Sequence, residues 1–255
     1  MSNKFFPSWD EYEKFVANYG AKLECIGYAH EWIYAMQSGW DPIEFERLYI
    51  EYVNSTQIKL KKGDNSTELK GRPLERISCY FLEKGGAVTE IQEIVKSGKW
   101  QVDGQGPLNK TALCDCWGNE LCQKAGFQLY LETKNHLNAI TNEEFSVHFR
   151  RMEEHNCNVG VFVSTSGYKI GRGQGIADSI HRNCWRDRFH ILLVLNSLRM
   201  VAVDGKAPLA VLTQALGYAI NDRYANDRPI QGLYSETSCR ELAKSEFQRL
   251  ASNDE

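Results

Sequence analysis

Apolar residues recur at helical spacing in two early stretches. Trp9, Tyr12, Phe15, Val16 and Tyr19 make one stripe, and Ile43, Phe45, Leu48, Tyr49 and Tyr52 make another. Each follows a start signal: Ser8 before the first, Asp41 with Pro42 before the second. The polar run 59–67 reads as an exposed loop. Residues 1–68 are therefore expected to form an appended helical subdomain, and 69–255 the main domain.

Past the loop the period changes. Pro73 stands where a helix would begin, with Leu74, Ile77, Phe81 and Leu82 on one face and Gly85-Gly86 as its end. Alternation over 88–95, a Ser97-Gly98 turn and an apolar stretch at 100–102 predict a hairpin. A second hairpin is predicted from 112–117 and 127–133, interrupted by Gly118-Asn119 and Gly126. Helices are then expected over 142–155, 173–184 and 208–220, alternating with short buried strands over 159–163 and 189–195. Helices interleaved with both hairpins and isolated apolar strands predict an α/β fold with a mixed sheet.

Composition narrows the class without naming a function. The 42% hydrophobic and 11% aromatic content suits a chain that buries a core. No apolar run approaches membrane-spanning length, and the N-terminus has no signal-peptide pattern, so a cytoplasmic protein without membrane attachment is expected. The net charge of −3 gives no global attraction to polyanions, which leaves a local basic stripe or a bound cation to do that work. Eight cysteines in an unsignalled chain of this length are expected to be reduced, buried or metal-binding.

The chemistry is concentrated at Leu129-Tyr130-Leu131-Glu132-Thr133-Lys134-Asn135. Residues i and i+2 of a strand share a face, so Glu132 and Lys134 project together from a strand end whose other side is apolar. In the second predicted hairpin, Asp115 would lie opposite Glu132, and two carboxylates could share one cation. Asp103 competes for that role: it ends an apolar strand and precedes Gly104 and Gly106, which let a phosphate approach. The shorter separation from Glu132 favours Asp115. Glu75 lies in the first turn of the predicted helix at Pro73, where a carboxylate suits the helix dipole.

Taken together, these residues resemble the PD-(D/E)xK nuclease superfamily, in particular its Mrr-like restriction endonuclease branch, over roughly residues 70–196. The resemblance implies a restriction-endonuclease-like mixed central sheet flanked by helices, with residues 1–68 as a helical addition. It implies Mg2+- or Mn2+-dependent hydrolysis of DNA phosphodiester bonds, with DNA favoured over RNA. It casts Glu75 as the helix carboxylate, Asp115 and Glu132 as metal ligands, and Lys134 as the group that positions water and stabilises transition-state charge. The proline expected before the aspartate is absent. Proteins of this kind often serve in restriction or antiviral defence, some as homo-oligomers or beside other subunits.

Other motifs carry less. Lys169 and Arg172, in a glycine-rich loop that lacks a P-loop's Gly-Lys-Ser/Thr, suit contacts to a nucleic-acid backbone or simply a solvated loop. Arg182, Arg186 and Arg188 have the same two readings. Cys114, Cys116 and Cys122, with His136 as a distant fourth, could hold zinc, but no second cysteine pair completes the pattern and core burial is favoured. His148 and His155 are expected to serve packing or the surface. Two other classes of function stay open: a nuclease-fold binding or assembly module without catalysis, and a zinc-stabilised interaction protein.

Overall fold

A computed structural model describes residues 29–65, 67–97, 100–136, 138–170, 175–184 and 186–252. The helix expected near Trp9 and the residue Arg172 lie outside the described residues.

Two helices open the described chain, α1 (Ala29–Gln37) and α2 (Pro42–Thr56). Asp41 caps α2 as its sequence suggested, its carboxylate accepting from the Ile43 and Glu44 amides, with Pro42 in the first turn. Phe45, Leu48, Tyr49, Tyr52 and Val53 of α2 lie in the same core cluster as the sheet. After the exposed residues 59–65, a π-helical turn (Thr67–Gly71) leads into α3 (Arg72–Glu83).

The sheet has five strands in the order β1-β2-β3-β4-β5. They are β1 (Gln92–Ser97), β2 (Trp100–Pro107), β3 (Gln128–Lys134), β4 (Val159–Ser164) and β5 (Phe189–Val194). β1, β2 and β3 pair antiparallel, while β3, β4 and β5 run parallel, so the sheet is mixed. The parallel part needs crossovers, which α6 (Asn142–Glu154) and α7 (Ile176–Cys184) supply. Thr141 and Glu144 form a capping box that starts α6.

Alternation sorts the strands into two buried faces. Leu129, Leu131, Val159, Val161, Val163, Ile191 and Leu193 join the cluster built with α2, α3 and α9 (Pro208–Ile220). Phe162, Leu192 and Val194 point the other way, toward Phe145 of α6 and Ile176 and Ile180 of α7. Such double burial is what parallel strands with helices on both sides require, and it explains why β4 and β5 read as continuous apolar runs. The chain continues through α8 (Leu195–Ala202), α9, α10 (Arg223–Asn226), α11 (Arg228–Tyr234) and α12 (Glu236–Ser252). No helix among the described residues is long and apolar enough to cross a membrane.

One expected hairpin is not formed. Residues 112–117 belong to a helix, α4 (Lys110–Trp117), followed by α5 (Asn119–Lys124). Asn109 caps α4 by accepting from the Ala112 amide, and Gly118, at φ +82, separates the two helices. The antiparallel partner of β3 is therefore β2, reached across α4 and α5 rather than through a turn.

Candidate active site

The β2–β3 ladder pairs Pro107 with Gln128 through to Gly104 with Leu131. One step beyond, a side chain replaces the ladder: the Thr133 amide and hydroxyl both donate to Asp103 Oδ2, at 2.7 and 3.0 Å. Asp103 is thereby fastened to the residue between Glu132 and Lys134. Burial, and after it the negative charge of Glu132, push the Asp103 carboxyl up to about 6; the Thr133 amide and the Lys134 charge work against the rise, while Glu75 adds to it. Three carboxylates thus feel one another at this end of the sheet.

Glu132 is 3% exposed. Donors surround its carboxylate. Lys134 Nζ lies 2.6 Å from Oε1, Arg151 Nη1 of α6 lies 3.1 Å from each oxygen, and the Tyr130 hydroxyl donates to Oε2 at 3.0 Å. Tyr130, Glu132 and Lys134 share one face of β3 by the i, i+2 rule, so the expected pairing of Glu132 with Lys134 is realised. Glu75, buried on α3, forms an ion pair with Arg72 at 2.9 Å. Asn135 joins the two halves, its amide donating to the Lys70 carbonyl at 2.7 Å and the Ser55 hydroxyl at 3.3 Å, just ahead of α3.

Asp115 is elsewhere. On α4 it is exposed and accepts a hydrogen bond from the Tyr34 hydroxyl of α1. Its expected position opposite Glu132 depended on a strand that is a helix, and Asp103 is the aspartate brought to the Glu132–Lys134 end. Arg151 and Tyr130 were not anticipated. Tyr130 could have been found from its i−2 spacing to Glu132; Arg151 had no local signal, because α6 returns it from another part of the chain.

Beyond β3 lies a cleft of about 430 Å³ lined by His136, Asn138, Thr141, Glu144, Lys169 and Glu236. Lys169 is exposed at its rim, held by its amide bond to the Ile140 carbonyl at 3.0 Å. Burial, and then the Lys134 charge, lower the His136 pKa, so its ring is held toward the neutral form. Arg182 and Arg186 are exposed around a separate depression with Phe149 and Asn183.

Among the described residues no group of three or more His, Cys, Asp or Glu side chains forms a ready-made metal cage, at the cysteines or at the carboxylates. The carboxylates where Asp103 meets β3 are nonetheless of a kind that can hold a hard cation. They repel one another, and magnesium commonly takes one or two carboxylates while retaining water. Comparison with protein-family models, curated proteins and solved structures finds no match.

Proposed function

We propose that this chain is a metal-dependent nuclease with a restriction-endonuclease-like core, acting on DNA, in which Asp103 rather than Asp115 partners Glu132. The observation that carries this reading is the Asp103–Thr133 tie, which sets an aspartate of β2 beside the Glu-x-Lys of β3 and near Glu75 of α3. A helix glutamate, an aspartate on the strand before and a Glu-x-Lys on the next form the set that the PD-(D/E)xK resemblance implies, in that order.

Asp103 and Glu132 would hold Mg2+ or Mn2+, which when bound polarises the phosphate and lowers the pKa of a water. Lys134, partly exposed beside Glu132, stabilises charge developing on the phosphate oxygens. Glu75, ion-paired with Arg72, is the helix carboxylate and makes an outer-sphere contact to the metal. Arg151 and Tyr130 fix the Glu132 carboxylate so that its position is set before any cation arrives. Lys169 contacts the nucleic-acid backbone from the neighbouring cleft. By the same resemblance, the biological setting is restriction or antiviral defence.

A second reading has its own observation. The Glu132 oxygens already accept from Lys134, Arg151 and Tyr130, as in a module that keeps the fold and binds DNA without cutting it. One experiment separates the two. Plasmid and linear duplex DNA are incubated with the protein in Mg2+ or Mn2+, beside Asp103→Asn, Glu132→Gln and Asp115→Asn. Cleavage that is lost in the first two variants and kept in the third is the expected result. DNA binding in calcium with no cleavage under either metal would establish the binding module, and equal loss in Asp115→Asn would remove Asp103 from its role.

A further inference from the structure

The cysteines of the α4–α5 corner form a site that has nothing to do with phosphodiester chemistry. Cys114 on α4 and Cys122 on α5 meet across the Gly118 turn with their Sγ atoms 2.7 Å apart. A bonded pair stands at about 2.05 Å, so the two sulfurs are already within an ångström of bonding distance. The two thiols differ in access: Cys114 is partly exposed, whereas Cys122 is 2% exposed. Lys110 donates to the Cys122 carbonyl at 2.6 Å, and its charge opposes the burial that pushes the Cys122 thiol up to about 11. Cys116, also on α4, is near in sequence. Burial, and then the charges of Glu31 and Asp115, push it up to about 12.

We infer that Cys114 and Cys122 form a redox dithiol that small disulfides of the glutathione class oxidise to an intramolecular disulfide. Cys114, the accessible partner, attacks as thiolate on one sulfur of the small disulfide. A mixed disulfide forms and one small thiolate leaves. The Cys122 sulfur, on losing its proton, attacks the Cys114 sulfur; the Cys114–Cys122 bond forms and the second small thiolate leaves. Two protein thiols are oxidised, one small disulfide is reduced to two thiols, and the two protons lost by the protein end on the released thiols. Because the sulfurs already touch, the second step outruns capture by another thiol.

The bond would fasten a corner that other elements depend on. Trp117 of α4 donates to the Thr213 hydroxyl of α9 at 3.0 Å, and Asp115 holds Tyr34 of α1. Oxidation therefore stiffens the joint among α1, α4, α5 and α9.

The full chain, equilibrated in glutathione buffers of increasing oxidised fraction, is quenched by thiol alkylation and mapped by peptide mass spectrometry. The expected product is a Cys114–Cys122 crosslink that dithiothreitol reverses. Cys122→Ser should stop at a glutathione adduct on Cys114, and Cys114→Ser should give neither crosslink nor adduct at Cys122 while folded, as checked by circular dichroism. A crosslink through Cys116 would overturn the inference, as would no crosslink in fully oxidised glutathione. Stoichiometric zinc retained by the reduced protein would overturn it too, because those thiolates would then be metal ligands. None of these outcomes depends on DNA cleavage.

Discussion

Glu132 and the pair His148 and His190 are polar groups buried on the same face of one sheet, and they are treated in opposite ways. Glu132 has donors on both oxygens. His148 and His190 are 1% and 0% exposed, and neither ring nitrogen of either has a hydrogen-bond partner among the described residues. Their rings lie 5.6 Å apart, packed against Phe145, Phe162 and Phe149. Burial drives the His148 pKa down to about 3 and that of His190 well below its ordinary value. Tyr130 stands between the two settings, its ring 5.1 Å from that of His148 and its hydroxyl on Glu132. A buried charge persists where donors have been assembled to hold it; where none are, the group gives up its charge and serves as packing. Only the first arrangement can do electrostatic work.

The largest effect on stability should come from breaking the Glu132 arrangement. Glu132→Ala removes the acceptor shared by the partly exposed Arg151 and Lys134, and is expected to cost about 1.5–3 kcal/mol in urea unfolding. Glu132→Gln, which keeps the shape and one acceptor, should cost clearly less. Equal stability of both variants and wild type would mean that the ion pairs contribute nothing. Next comes Lys134→Ala. On the proposed function it removes about 3 kcal/mol of transition-state stabilisation, roughly a hundredfold in single-turnover cleavage, with DNA affinity in calcium nearly unchanged. A variant that weakens binding and cleaves normally when saturated would make Lys134 a phosphate contact.

The histidine side of the comparison is tested by acid. Their folded pKa values lie below the unfolded value of about 6.5, so the unfolded chain takes up the protons first as pH falls. Stability is full above that value and declines beneath it. With His148 at about 3, the loss at pH 5 is about 2 kcal/mol from that residue. His148→Phe should flatten the acid limb of the stability curve by a similar amount; an unchanged limb would place the acid sensitivity elsewhere. The smallest effect belongs to Asp115→Asn. Exposed and bonded to Tyr34, it should change stability by under about 1 kcal/mol and leave cleavage intact.

Much of the frame was readable from the sequence. The start of α2 followed from Asp41 and Pro42, α9 matches its expected span, and β3, β4, β5 and α6 lie within a residue or so of their predicted bounds. These segments carry either a strong period or an uninterrupted apolar run. The short stretch around Asp115 carried neither. Leu113, Cys114 and Cys116 fit strand and helix equally over so few residues, and the deciding cap, Asn109, lies ahead of them. That one ambiguity moved the aspartate, since a hairpin there would have hidden the pairing of β2 with β3. Burial of His148 followed the helical stripe Phe145, His148, Met152, yet histidine is polar enough to be read as surface. The Arg151–Glu132 contact depends on how α6 crosses the sheet, and no local pattern encodes that.

The pairing of β3 with β2 on one side and β4 on the other has a consequence for the order in which the molecule acquires its parts. β1 and β2 pair right up to Ser97 and Trp100, three positions apart in the chain, so they meet at little entropic cost. β3 must enclose α4 and α5 before it reaches β2, and must wait for α6 and β4 to cover its other edge. These are the long-range closures that slow folding. A nascent chain that has just emitted Lys134 carries its Glu-x-Lys with no α6 arginine to neutralise the glutamate and no settled Asp103 beside it. The carboxylate set is therefore a late product of folding. It should also be among the first things lost when β2 frays from β3, before the core melts. On the proposed function, a nuclease built this way would be inert while being made and would disarm itself when damaged.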